Sequence, residues 1–409
     1  MSGAGLRRCG GGTTTSSDAA PPALPRSASS LLAAVCAVTI SGVYLPQALL
    51  SRMAEDLGAT VSEIGVAATL AQLGYAVGIV LLVPLIGLVR PRLLLASVMG
   101  ASMVTLGLAA ASPGVGLLAV MFLLVGLASV TPQLLVPLVP LLTDQAGVRR
   151  LLAALTAGIG LGIFGSRLVA GTLAQAWGWR AVPWAFAGAV LVLGAACWRV
   201  LPSAAPSTRS PYSSTIASMP RVAATRPVLR QSMVMQAGGF FALNAVWTTA
   251  GVHLVALGWS ELEATGLGAA GVVAAGLTPL GGSLLSRVTP LRLLVAALGM
   301  TCVGACAVAL SAWSPVAVVA GVFVMTLGAL WAQVAHQVRF FAENPTDRAS
   351  ANIAFMAAAF TGGALGALCA TAVYDAGGMS GVAMLAAGAV LAALGLRRVV
   401  GPRATADAT

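Results

Sequence analysis

The chain has 409 residues, of which 8% are charged and 58% hydrophobic, with a net charge of +11. Soluble domains carry about 25% charged residues, so this balance and a mean hydropathy of +0.95 exclude both an ordinary soluble core and a disordered chain. All 22 basic residues are Arg, and their placement, described below, excludes a nucleic-acid partner. The six cysteines (Cys9, Cys36, Cys197, Cys302, Cys306, Cys369) contain no CxxC pair. They read as small buried hydrophobes, with no disulfide framework or metal set.

In chain order, residues 1–28 are rich in Gly, Ser, Thr and Pro and are expected to form a disordered cytoplasmic tail. Arg7 and Arg8 are not followed by the apolar stretch of a signal peptide. Apolar runs of membrane-spanning length then succeed one another. They predict an all-α membrane protein with spans at 29–50, 64–88, 93–111, 115–142, 151–174 and 181–200, and again at 229–256, 265–285, 291–312, 315–337, 350–373 and 380–398. Between the two sets, residues 201–228 are polar and Pro-rich, the one long linker in the chain. The organisation expected is an N-terminal six-helix bundle (29–200), a cytoplasmic linker (201–228), a C-terminal six-helix bundle (229–399) and a short tail (400–409).

Cytoplasmic loops of membrane proteins collect basic residues. With both termini inside, 19 of the 22 arginines fall in cytoplasmic tails and loops. Arg52 and Arg180 fall outside, and Arg167 falls within span five. The basic charge therefore reports topology. The halves also echo one another: Pro84-Leu85-Ile86-Gly87 with Arg90 and Arg92 is answered by Pro279-Leu280-Gly281-Gly282 with Arg287 and Arg292, and Thr143-Asp144 by Thr346-Asp347. Repeats in the same order, each with an even number of spans, are parallel repeats about an axis normal to the membrane.

Several stretches carry a resemblance to a known family. They are Tyr44-Leu45-Pro46-Gln47, Gln72 to Gly78, Pro84 to Arg92, Val136-Pro137-Leu138, Gly162 to Gly171, Gly178-Trp179-Arg180, Trp247, and Phe360 to Gly366. With six plus six spans, the chain resembles the major facilitator superfamily over about residues 30–400, most nearly its twelve-helix drug/proton antiporter-type bacterial exporters. The resemblance implies proton-coupled transport by rocking halves. It also implies a cytoplasmic gate in the loops holding Arg90, Arg92, Asp144, Arg149, Arg287, Asp347 and Arg348. Two departures stand out. Gly87 and Ser286 occupy the positions where the family carries a gating Asp, and Gly165-Ser166-Arg167 replaces the antiporters' Gly-Pro pair.

A charge in hydrocarbon costs about 2.5–3.5 kcal/mol and usually faces a cavity or the water beyond it. Arg167 is accordingly the leading candidate for a substrate or proton pathway, with snorkelling toward the outer surface as the rival reading. Gln236, Phe240, Asn244 and Trp247 recur along one face of span seven. Tyr44, Gln47, Gln72, Tyr75, Gln133, Trp331, Gln333 and Gln337 are further amides and aromatics that lipid would penalise. Together they describe a mostly apolar cavity suited to a small organic solute. No acidic residue falls at mid-membrane, and His253 and His336 read as hydrogen-bonded interfacial groups more readily than as proton carriers. The spacings Gly74/Gly78, Gly158/Gly162 and Gly362/Gly366 are helix-packing devices.

No nucleotide-binding loop, catalytic constellation or cofactor motif is present. The expected protein is therefore a non-enzymatic secondary transporter acting as a monomer in a bacterial cytoplasmic membrane. It would export a small hydrophobic organic compound, a drug or secondary metabolite, in exchange for protons. Uptake of a small anionic metabolite is the alternative; a channel or intramembrane enzyme fits less well.

Overall fold

The computed structural model describes residues 24–201, 212–285, 287–312, 314–343 and 348–400. They fold almost wholly into helices, with no strand among them. A bilayer core offers no water to free backbone groups, so an apolar run of this length is stable as a helix, which satisfies them internally. In the first half the spans are Arg26–Ala48, Val61–Gly87, Pro91–Ala110, Val115–Leu142, Gly147–Trp177 and Ala181–Val200. In the second they are Pro227–Ala256, Glu261–Leu284, Pro290–Ala309, Pro315–Glu343 and then one long helix, Arg348–Val400. That helix is interrupted at Gly378, whose φ of 59° and ψ of −160° suit only glycine. It therefore comprises spans eleven and twelve, and the total is twelve.

Most boundaries lie within four residues of those expected. Span ten is the exception: it runs to Glu343 rather than 337, because its apolar face continues through the buried Phe340. The linker is also more ordered than its composition suggests. Its described part forms a helix, Tyr212–Thr225, with Met219 and Val222 buried. The Tyr212 hydroxyl donates to the Leu81 carbonyl (2.8 Å), and the hydroxyls of Ser218 and Ser350 lie 3.3 Å apart, so this helix is tied to spans two and eleven.

The paired glycines explain how the spans approach so closely. A Cβ at Gly74 or Gly78 would strike the backbone of Leu123 or Leu127 in span four. At Gly158 and Gly162 it would meet Ala33 and Ala37 of span one, and at Gly362 and Gly366 it would meet Ala237 and Phe241 of span seven. Each pair thus presses one helix directly onto its neighbour's backbone, as small residues do in membranes.

Each half holds an even number of spans, so the start of span one, the linker and the end of span twelve share one end of the bundle, here the terminus end. At the far end the halves meet directly. Arg52, in the short helix Leu50–Leu57, forms an ion pair with Glu261 at the start of span eight, and its Nη1 also donates to the Ala174 carbonyl (3.0 Å). Gly171 faces Thr265, and Gly65 faces Thr371. Nearby, Trp179 Nε1 donates to Asp56 (2.9 Å) and Arg180 pairs with the same carboxylate, which together hold it below the usual carboxylate range.

Candidate functional site

Span five does not run as a plain α-helix. Leu161–Gly165 forms a π turn, and Arg167 follows it two residues later. Such turns shift main-chain bonds from i→i+4 to i→i+5 and recur at functional sites. Arg167 Nη1 donates to the Ile163 carbonyl within this turn at 2.6 Å. Its side chain leaves the helix ten residues before Trp177, about 15 Å from the far end at about 1.5 Å per residue. At 6% exposure the residue is buried. The guanidinium is enclosed by protein and bonded back to Ile163 rather than extended toward the far end.

From Arg167 a chain of hydrogen bonds crosses between the halves. Its Nη2 donates to Gln47 Oε1 of span one (2.7 Å). Gln47 Nε2 donates to Asn244 Oδ1 of span seven (3.3 Å), and Gln72 Nε2 of span two donates to the same oxygen (2.8 Å). Asn244 Nδ2 donates back to its own helix at the Phe240 carbonyl (3.0 Å). Both lone pairs of the Asn244 carbonyl are thus used by the opposite half. Span eleven closes over this set with a glycine: a Cβ at Gly363 would overlap Gln72 Oε1 and lie 2.7 Å from Asn244 Nδ2.

Aromatic rings surround the cation. The guanidinium carbon of Arg167 is 4.4 Å from the Trp247 ring centre and 5.6 Å from that of Tyr44. A cation over a ring face is attracted by its quadrupole, the more so when desolvated. Trp247 is fixed by its own donor bond to Thr326 Oγ1 in span ten (3.0 Å) and by Phe164, 5.2 Å away between ring centres. Among the described residues no carboxylate pairs with Arg167. Neutral oxygens and ring faces compensate its charge instead. A cavity of about 70 Å³ opens toward the far end from Gln47, Arg167 and Trp247. Its walls are otherwise mainly apolar, and the Arg52–Glu261 pair stands at its mouth.

The remaining candidates divide. Tyr75 packs against Phe360 of span eleven with ring centres 4.4 Å apart and planes tilted by 59°, and Gln133 hydrogen-bonds its hydroxyl. Phe240 meets the same Phe360 at 5.6 Å. These residues extend the polar and aromatic set. Gln236 shares a helix face with Asn244 but lies two turns nearer the terminus end, buried, with its Nε2 unbonded. Trp331 donates to the Leu277 carbonyl (3.2 Å) and packs on Gly281, holding spans ten and eight together. Gln333 is half-buried, and Gln337 donates to Asn352 (3.3 Å). None of these four joins the Arg167 chain. His253 lies 3.3 Å from the Tyr374 hydroxyl, as an interfacial residue would. His336, expected in the same role, is fully buried against Phe355 with neither ring nitrogen bonded.

The residues expected at the gate are dispersed. Arg90, Arg149, Arg287 and Arg348 are exposed, and Arg92 lies over the Trp198 ring at 3.9 Å. Asp144 caps span five by accepting from the Gly147 amide (2.9 Å) rather than bridging Arg149 or Arg150. Gly87 ends a 3-10 turn, while Ser286 and Asp347 lie outside the described residues. Four residues had no assigned part in the sequence: Gly363, which lies between the packing glycines Gly362 and Gly366, Thr326, and the paired Arg52 and Glu261, which are far apart in the chain.

Twelve spans in two sets of six, meeting around a buried polar chain that both sets supply, define a multi-pass membrane carrier. The chain belongs to the Major Facilitator Superfamily, whose model matches residues 30–343. It is 32% identical over 362 residues to a probable transporter of Streptomyces coelicolor, covering 87% of this chain and 83% of that one. It is 28% identical over 379 residues to the uncharacterized transporter YgaY of Escherichia coli, covering 90% and 93%. Among solved structures it resembles the nucleoside transporter NupG, with a TM-score of 0.72 at 14% identity over 91% of this chain and 98% of that one. A D-xylose-proton symporter gives a TM-score of 0.70 at 14% identity over 93% and 98%. These likenesses establish the fold and a transport role.

Proposed function

We propose that the protein is an alternating-access secondary transporter that exports a small, mainly apolar organic compound, a drug or secondary metabolite, in exchange for protons. It would work as a monomer in the bacterial cytoplasmic membrane with both termini inside. The observation that carries this reading is the chain Arg167–Gln47–Asn244–Gln72, which both halves contribute and which borders the cavity. A substrate that competes for these bonds changes how tightly the halves hold each other, as a rocking carrier requires. Leu49, Leu50, Val252, Val255 and Leu267 give the cavity an apolar flank beside its polar groups, which supports an apolar body in the substrate. Export and proton exchange rest on the antiporter-like stretches of spans one and two, against the departure in span five, where Gly165-Ser166-Arg167 replaces the Gly-Pro pair.

The test compares cells with and without the gene, in susceptibility and in accumulation of a panel of apolar compounds, each with and without an uncoupler. Gene-dependent depletion that the uncoupler abolishes is expected. Saturable gene-dependent uptake would reverse the direction, and flux linear in concentration would overturn the carrier reading.

A further inference from the structure

From the surroundings of Arg167 we infer that the substrate is an organic anion, with one carboxylate or comparable oxyanion and a ring-sized apolar body. This rests on the reading of the cavity as the transport site and specifies what that site takes. A guanidinium stays charged in protein surroundings, and a buried charge calls for an opposite one. Here two N–H groups meet neutral oxygens, of Gln47 and Ile163, and ring faces cover part of the plane. Among the described residues the charged side chains lining the cavity are Arg167, Arg52 and Glu261. Glu261 is held at the mouth by Arg52. The interior is therefore cationic, with its positive charge at the closed end and no carboxylate committed to it.

The rest of the wall says what accompanies the anion. Trp247 is held by its donor bond to Thr326 and by the tilted Phe164 ring, and it lines the cavity beside Arg167 as a fixed aromatic wall. One turn further along span seven, Gly251 lines the cavity, and a Cβ built there meets nothing within 4 Å. Val252, Val255 and Leu267 complete an apolar flank. A planar carboxylate can take two N–H groups from the guanidinium fork, and a flat ring attached to it would extend along Trp247 toward Gly251. The present cavity of about 70 Å³ is too tight for such a ligand, so entry requires the Arg52–Glu261 contact to part.

The experiment uses the full-length protein in nanodiscs and an isosteric pair of probes, 2-naphthoate and 2-naphthamide, with acetate as the charge without the body. Calorimetric titration should show naphthoate binding about tenfold more tightly than naphthamide, the gap between pairing the same cation with an anion and with a neutral carbonyl. Acetate should bind more weakly than either. Arg167→Gln should erase the acid-over-amide preference. Gly251→Leu, which fills open space without moving backbone, should weaken both naphthyl probes about equally. Equal binding of acid and amide by the wild-type protein, no binding of either, or a preference that survives Arg167→Gln would each overturn the inference. The wild-type comparison stands even if a variant fails to fold. Flux of the two probes in vesicles separates this from the broader reading. Amide carried as well as acid leaves the transporter and removes the anion; acid bound but never carried leaves the anion and removes this cavity as the transport site.

Discussion

Replacing Gly363 by Ala should cripple transport while leaving the fold standing. The added methyl would overlap Gln72 Oε1 and sit 2.7 Å from Asn244 Nδ2, where an ordinary carbon–nitrogen contact is about 3.4 Å or more. Both amides must move: Asn244 against its bond to the Phe240 carbonyl, and Gln72 by about 1 Å. Its 2.8 Å bond to Asn244 Oδ1 then stretches beyond hydrogen-bonding range. Losing one buried inter-helix bond in a membrane protein costs about 0.6–1.7 kcal/mol, which corresponds to a shift of about three- to twentyfold in any equilibrium that uses it.

The assay is substrate flux in reconstituted vesicles, normalised to protein that elutes as a single folded species, together with thermal melting in nanodiscs. Gly363→Ala should lose flux in that range with melting nearly unchanged. Gly362→Ala is the matched control: its methyl would strike the Ala237 backbone, which cannot yield, so it should lose folded protein instead. Wild-type flux in folded Gly363→Ala would refute the claim that this amide contact between the halves matters to the cycle.

Other expectations follow from the same geometry. Arg167→Ala should insert and fold yet lose flux by about one to two orders of magnitude, since it strands Gln47 Oε1 and the Ile163 carbonyl. Arg167→Lys should rescue little, because a point charge cannot span both oxygens and lie over Trp247; flux restored by Lys would refute this. Reversing one partner of the Arg52–Glu261 pair should change flux by up to about fivefold, the range of a part-exposed ion pair. The double swap Arg52→Glu with Glu261→Arg should recover part of the loss, and a double variant no better than Arg52→Glu alone would count against a gating role. The Asp56 carboxyl is held below its ordinary range, so its pairing contributes fully above that range and is lost as pH falls through the lowered value. Melting curves of wild type and Asp56→Asn should therefore differ at neutral pH and converge under acid. Curves that stay parallel down to pH of about 3 would show that the pair adds nothing.

The twelve spans were legible because hydropathy and the bilayer's thickness leave an apolar run few options. Even the Gly378 break was anticipated by the polar interval between residues 373 and 380. Arg167 was legible for a related reason: a charge within a span is too costly to be incidental. Its partners were harder to read. Gln47 and Asn244 are nearly two hundred positions apart, and nothing local couples them. Helical periodicity placed Gln236 and Asn244 on one face but says nothing of depth, and only Asn244 sits at the level of Arg167. Arg52 and Glu261 each look like solvated loop charges, and the relation between them exists only once span five brings Ala174 beside the short helix. Asp144 was expected among the gate residues, and the capping geometry that occupies it is set by the chain's turn into span five.

The π turn at Leu161–Gly165 gives span five one residue more than a straight α-helix of equal length would need. Five residues of a π turn sweep about the angle that four sweep in an α-helix, so the extra residue is absorbed locally and the segments on either side keep their facing. Removing one residue within the turn would restore plain α winding with Arg167 still facing Trp247. The same deletion just beyond the turn's end at Gly165, of Ser166, would rotate the rest of the span by about 100° and carry Arg167 and Gly171 out of the cavity wall together. Span five thus has one place where its length can change without re-aiming the pocket.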